Sequence, residues 1–182
     1  MAVPSRFTVL SCLLLFAAAC PSELPHPAVD ATRHLCCNLR YERTTISDVN
    51  YQRGTLIPYG TPVRITRVTR KGVVFEAPGY PPITLLFRYG RRVLTLDDYL
   101  ERVLQRQDPR PEVARRPLPI REAITQGRVV PGMTRADVLH AIGHPPVHRT
   151  PSLGAPEWRY WQNRWEEFVV RFDGDRVTAI GR

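Results

Sequence analysis

"VVPGMTRADVLHAIGHPP", residues 129–146, contains a helix start, a helix stop and two of three histidines spaced four apart, His140, His144 and His148. On one continuous helix the three would stack along a face able to hold a metal. The neighbouring residues argue for a short helix instead. Thr134 is a good N-cap, and Asp137 follows at the spacing of a capping box. Gly132 lets the chain turn into the helix, and Val138, Leu139 and Ile142 supply an apolar side. Gly143 takes the place where a left-handed residue ends a helix, and Pro145 and Pro146 prevent continuation. His140 therefore lies on the helix, His144 past its stop and His148 beyond both prolines. The expected role is helix punctuation, with capping or solvent-facing histidines and no metal or cofactor.

Downstream, "EWRYWQN", "EEFVVRFDG" and "RVTAIGR" read as three short strands. Trp158 and Tyr160 share one face, as do Phe168, Val170 and Phe172. Asp173-Gly174 signals a tight hairpin between the last two strands. Ile120 to Gln126 reads as a first short helix, so the order is helix, helix, strand, strand, strand. The motif residues are expected to hold the fold: Gly132, Thr134, Gly143 and Pro145 as turn and cap, Trp158 and Tyr160 as packing. On the opposite sheet face Arg159, Trp161 and Arg171 alternate outward. Mixed arginine and aromatic surfaces are enriched in interface hot spots and suit a lipid headgroup boundary; an ordinary solvated sheet face is the other reading.

Upstream, residues 34–107 read as a β-rich module. "TPVRITRV" alternates at Val63 and Ile65, "KGVVFEA" follows a turn at Lys71-Gly72, and "PITLLFR" places Ile83, Leu85 and Phe87 on one face. Short alternating runs bounded by Gly and Pro suggest a small antiparallel barrel, loosely similar to an SH3 barrel at "GTLIPYGTPVRI". A helix closes the module: Thr95 and Asp98 have capping-box spacing, and Leu96, Tyr99, Leu100, Val103 and Leu104 form its apolar stripe. Residues 108–119, "DPRPEVARRPLP", are Pro-dense and read as an extended polyproline II linker. The fold class expected for the whole is α+β.

The N-terminus reads as a targeting segment, residues 1–19. Arg6 gives a positive start, and Thr8 to Ala19 is apolar but too short to span a bilayer. Small residues Ala17, Ala18 and Ala19 precede Cys20. They fit a secretory cleavage site and also resemble a bacterial lipobox, although the usual leucine at −3 is replaced by Ala17. Both readings make Cys20 the first mature residue; they differ in whether its sulfur carries lipid. Lipidation removes an odd thiol from an oxidising compartment. Residues 20–33, Pro-rich and aperiodic, read as a tether. Cys36 and Cys37 are expected as reduced thiols buried in a strand: adjacent Cα atoms sit about 3.8 Å apart, below the usual disulfide span. A metal held with His34, or a vicinal disulfide, is the competing reading.

The formal charge is +9, and Lys71 is the sole lysine among 26 basic residues. The arginines are scattered and form no run of five, so nucleic acid is a poor partner and an anionic lipid or acidic protein surface a better one.

The pattern Gly132-Met133-Thr134, Val138, Ile142-Gly143, Pro145, then Trp158, Tyr160 and "RVTAI", resembles the BamE (SmpA/OmlA) family of outer-membrane lipoproteins. The resemblance spans residues 120–182, roughly the last third of the chain. It implies two helices on a three-stranded antiparallel sheet and a Gram-negative outer-membrane location facing the periplasm. It also implies contact with β-barrel assembly components and anionic lipid. Secreted β-lactamase inhibitory proteins use the same topology, and family members usually lack a preceding β module.

Three functions compete on this reading. One is a non-enzymatic, lipid-anchored binding or scaffold protein in outer-membrane assembly or envelope integrity, with a secreted inhibitor-like binding protein as its unanchored variant. Another is a cell-wall adaptor binding peptidoglycan or a peptide through the SH3-like module. The third, an enzyme, is disfavoured: no nucleophile elbow or Ser/His/Asp set has recognisable spacing. Asp97-Asp98 fit a helix start and Glu166-Glu167 a solvated turn.

Overall fold

The computed structural model describes residues 25–181. The leader, Cys20 and the start of the tether lie outside them. The fold is α+β, with a curled half-barrel sheet and few helices. Among the described residues no helix is long and apolar enough to cross a membrane.

The first sheet contains β1 (Thr32–Leu35), β3 (Thr45–Ser47), β5 (Pro62–Thr69), β6 (Gly72–Glu76), β7 (Ile83–Leu86) and β8 (Leu104–Gln105), in the order β3-β7-β6-β5-β1-β8. Strands β2 (Leu39–Tyr41) and β4 (Thr55–Ile57) form a separate hairpin-like pair. The expected alternation is present: Val63, Ile65, Ile83, Leu85 and Phe87 are all buried. A bulge between Ile65 and Arg67 shifts register so that Val68 also turns inward. Two expectations are corrected here. The sheet is open rather than closed, and β3, which leaves a tight turn at Arg43-Thr44, pairs in parallel with β7, a strand far along the chain to which no hairpin joins it.

Helix α1 (Leu96–Val103) closes this core and carries the expected reciprocal capping box between Thr95 and Asp98. Tyr99, Leu100 and Val103 are buried, and Phe87 stacks on Tyr99 at 4.8 Å between centroids. Leu104 continues the apolar stripe but from β8, outside the helix.

The described part of the expected tether is docked. Ala28 is buried in the first core, the Asp30 amide donates to Ile65, and Arg33 pairs with Glu101. A turn at 27–30 supplies its own hydrogen bonds, and the two apolar side chains Ala28 and Val29 give it something to bury.

The Pro-rich stretch 108–119 is likewise not extended. It forms α2 (Arg110–Ala114) and leads into α3 (Leu118–Thr125). Pro111 and Pro119 both fall in a first helical turn, where the missing N–H has no intrahelical partner to lose. Val113 is fully buried, and Arg116 reaches 2.6 Å from the buried carboxylate of Asp137.

Helix α4 (Arg135–Ile142) begins at Thr134 with the expected capping box: Asp137 N–H donates to Thr134 Oγ1, and Asp137 Oδ2 accepts from Thr134 N–H. It packs with α3 on an antiparallel sheet β11-β10-β9, where β9 is Glu157–Trp161, β10 Glu167–Asp173 and β11 Arg176–Gly181. Met133, Val138, Ile142, Trp158, Tyr160, Val170 and Phe172 form one buried cluster. The hairpin turns at Gly174-Asp175, one residue beyond the expected pair. Tyr160 Oη donates to the carbonyl of Gly143 at 3.0 Å, so two motif residues are bonded directly, and burial raises the phenol pKa.

Candidate binding surface at the seam between the two cores

The two clusters of buried side chains meet along a seam built from amides. Helix α4 ends with carbonyls that have no partner in the helix. Three side chains from the first 55 residues take them. Asn38 Nδ2 donates to Ala141 at 2.9 Å and to Ile124 of α3 at 2.6 Å. Asn50 Nδ2 and Gln52 Nε2 both donate to Ile142, at 3.0 and 3.1 Å. Asn38 Oδ1 accepts from Tyr59 N–H, its own N–H donates to His140, and all three amide side chains are buried. The β9 edge is closed the same way: Gln52 N–H donates to Trp161, and Gln162 Nε2 returns to Gln52 O at 2.6 Å.

The opening histidines sit along this seam in three different environments. His140 is buried on α4, with Nδ1 2.9 Å from Cys36 O and Nε2 3.6 Å from Glu112. His144 lines a narrow seam cavity of about 30 Å³, room for one or two waters, with Asp48, Tyr99 and Arg102. Its buried Nδ1 has no partner, and desolvation, helped by Arg102 and His140, lowers its pKa to about 4. His148 is exposed. The expected capping or solvent-facing roles therefore hold for His148 alone; the chain beyond Gly143 folds back between the cores and carries His144 inside. Among the described residues no three His, Cys, Asp or Glu side chains are grouped to hold a metal.

Cys36 and Cys37 are free and buried at the seam, but just beyond β1 rather than in a strand. Burial and the neighbouring Cys37 push the Cys36 thiol up. Gly143 has φ +82° and ψ −178°, an extended glycine conformation rather than the left-handed one expected. A Cβ there would sit 3.0 Å from Asn50 Nδ2 and 3.3 Å from Cys37 Sγ, so the seam requires glycine twice over.

Outward from the seam the side chains change character. Asp48 Oδ2 accepts the backbone N–H groups of Arg88, Tyr89 and Gly90, fixing a 3₁₀ turn that presents Tyr89. Tyr89 stacks on His148 at 5.6 Å, and His148 stacks on Trp161 at 6.0 Å. This row crosses from one core to the other. Arg88 lies over Tyr89 and Arg149 over Trp161. At the neighbouring hairpin tip Asn163 Oδ1 accepts from Trp165 and Glu166 N–H, holding Trp165 out at 80% exposure beneath Arg164. Tyr51, beside Tyr89, has its hydroxyl pKa raised, first by burial and then by that neighbour.

The sheet face expected to interact is divided. Arg159, Trp161 and Arg171 do lie on one outer face, by the register of β9 on β10. Arg159 is held by Glu167 at 2.6 Å and Arg171 by Glu157 at 2.8 Å, so these two charges are answered across the strands. Trp161 instead joins the aromatic row. Sequence reasoning missed Tyr89, His148 and Trp165 as one surface; the Arg164-Trp165 dipeptide at a strand junction was its only local signal.

No protein-family model matches the chain, and neither does any curated protein or solved structure.

Proposed function

We propose that this chain is a periplasm-facing lipoprotein, anchored through an acylated Cys20, that binds partners without catalysing a reaction in outer-membrane assembly or envelope integrity. The observation that carries the reading is the exposed aromatic and arginine surface laid across two cores locked by buried amides. A rigid row of aromatics flanked by cations loses little side-chain freedom on contact and supplies the residue types that dominate binding energy. The BamE-like pattern at residues 120–182 and the lipobox-like leader support this reading, and an α+β unit of two helices, α3 and α4, on the sheet β11-β10-β9 is compatible with it. β-Barrel assembly components and anionic lipid are the partners this reading names.

Mass spectrometry of the mature N-terminal peptide, combined with membrane fractionation, tests it. A triacylated Cys20 in the outer-membrane fraction is expected; an unmodified Cys20 in a soluble fraction overturns the anchor and with it the reading.

A second reading is favoured by one observation, the surface stack of exposed Tyr89 and His148 on half-buried Trp161, since aromatic faces also pack on sugar rings. In it the curled, SH3-like sheet and the seam bind the cell wall. Co-sedimentation with purified sacculi, lost in Trp161→Ala, is its expected result.

A further inference from the structure

The geometry points to a second site, an anion-binding cavity on the first sheet that takes the phosphoryl group of a phosphate ester. It lies outside the BamE-like residues; Arg88 also flanks Tyr89 of the aromatic row, but the donors Lys71 and Arg91 play no part in the function proposed above. An open cavity of about 300 Å³ is lined by Lys71, Leu86, Arg88 and Arg91. Three of its four lining residues are cations, and none is an acid. The fourth lining residue, Leu86, is apolar, which suits a charged group carried on an organic body.

The cavity is braced by its own main chain. Phe87 N–H donates to Lys71 O at 2.8 Å, joining the β5–β6 turn to the segment after β7. Arg91 spans the same two segments: Nε donates to Phe87 O at 2.6 Å and one terminal nitrogen to Arg70 O at 2.9 Å. Its guanidinium is thus fixed by neutral carbonyls and not by a carboxylate, so orientation is set while the positive charge stays unanswered. Among the described residues no ion pair forms to Lys71, Arg88 or Arg91. The acid nearest in the chain's bonding, Asp48, has one oxygen committed to three backbone N–H groups at residues 88–90. Elsewhere on this protein arginines are matched with acids repeatedly, as at Arg64, Arg110, Arg116, Arg159 and Arg171. An adjoining cavity shares Lys71 and Leu86 and adds Arg70, extending the positive ground.

A planar fork held in place and a compact ammonium lining the same cavity match the donor needs of a phosphoryl group, monoester or diester, which offers acceptor oxygens around one negative centre. Two sources present that chemistry: a soluble phosphate ester and a phospholipid headgroup.

The test uses the full chain carrying Cys20→Ser, so that no acyl chain contributes. Inorganic phosphate and glycerol phosphate are titrated at low salt, following the arginine Nε resonances. Vesicles of phosphatidylglycerol and of phosphatidylcholine are compared by co-sedimentation. Binding of at least one phosphate probe is expected, with Arg91→Gln weakening it about tenfold and Lys71→Gln severalfold. Among the described residues the Lys71 side chain makes no hydrogen bond, so it serves if Arg91→Gln disturbs the fold. Binding of the soluble esters supports the site and assigns a soluble source. Binding of phosphatidylglycerol vesicles alone, sensitive to Lys71→Gln, supports it and assigns a headgroup. No binding of any probe overturns it, as does equal weakening by Arg128→Gln, an exposed arginine on the other core.

Discussion

Asn50 Nδ2 lies 3.0 Å from the carbonyl oxygen of Ile142, so the last turn of a helix in one core is completed by a side chain from the other. Asn38 and Gln52 do the same for neighbouring carbonyls. Helix ends in general are finished by water or by flanking residues; the end of α4 is finished by side chains of the first core. The consequence is a coupling of the two cores that needs no large apolar contact between them.

Asn38→Ala removes two buried donors and one acceptor together, leaving the carbonyls of Ile124 and Ala141 and the amide of Tyr59 without these partners. The Ile124 carbonyl keeps the Gly127 N–H, so two groups are orphaned; each costs about 1–3 kcal/mol, and a loss of roughly 3 kcal/mol is expected. Urea unfolding monitored by tryptophan fluorescence measures it. A change below about 0.5 kcal/mol would show that water replaces the amide at no cost.

Gly143→Ala and Gly132→Ala separate space from backbone. Both glycines have positive φ, but a Cβ at Gly132 meets nothing within 4 Å, whereas at Gly143 it presses on Asn50 and Cys37. Backbone strain alone costs about 1–3 kcal/mol, so Gly132→Ala should stay in that range and Gly143→Ala exceed it. Thermal melts of the pair check the order; equal losses would mean that the seam yields.

His144 makes stability pH-dependent in a defined direction. Its folded pKa is about 4, below the usual 6.5, so between these values the unfolded chain binds the proton more readily. The contribution is fully present above pH 6.5, falls as pH drops through the window and is gone below 4. It amounts to about 3 kcal/mol. The exposed His148 is lowered too and adds in the same sense. His144→Leu should flatten the fall in stability between pH 6.5 and 4; an unchanged slope would place the titration elsewhere.

Trp165 and Trp158 should behave oppositely. Trp165 is 80% exposed, so Trp165→Ala is expected to leave stability within about 0.5 kcal/mol while weakening association with envelope fractions severalfold. Trp158 is fully buried against Phe172, so Trp158→Ala costs about 3–5 kcal/mol. Undiminished association of Trp165→Ala would remove that side chain from the binding surface.

Local signals were legible and distant ones were not. Both capping boxes, the Gly143 stop, the inward alternation of Val63, Ile65, Ile83 and Leu85, and the three C-terminal strands follow from residues within a few positions of one another. The polar seam does not: Asn38 meets Ala141 across 103 positions, and an asparagine just before a short strand carries no mark of its partner. Proline density alone does not decide the Pro-rich segment, because position does: in a first helical turn proline is tolerated, and Val113 then has a core to enter. Arg135 was also unreadable. It lies 4.2 Å over Phe172 and 5.3 Å over Trp158 while donating to the carbonyls of Leu153, Ala155 and Gly174. That arrangement depends on a turn and a hairpin brought together only by the fold.

Native-state hydrogen exchange tests most directly the claim on which the binding surface depends, that buried amides make the two cores one body. The amides of Phe75 in the first core and Val170 in the second are the reporters. The account predicts equal opening free energies for both, falling together in Asn50→Ala. Exchange of Val170 at a lower opening free energy, with Phe75 unmoved by that substitution, would contradict it.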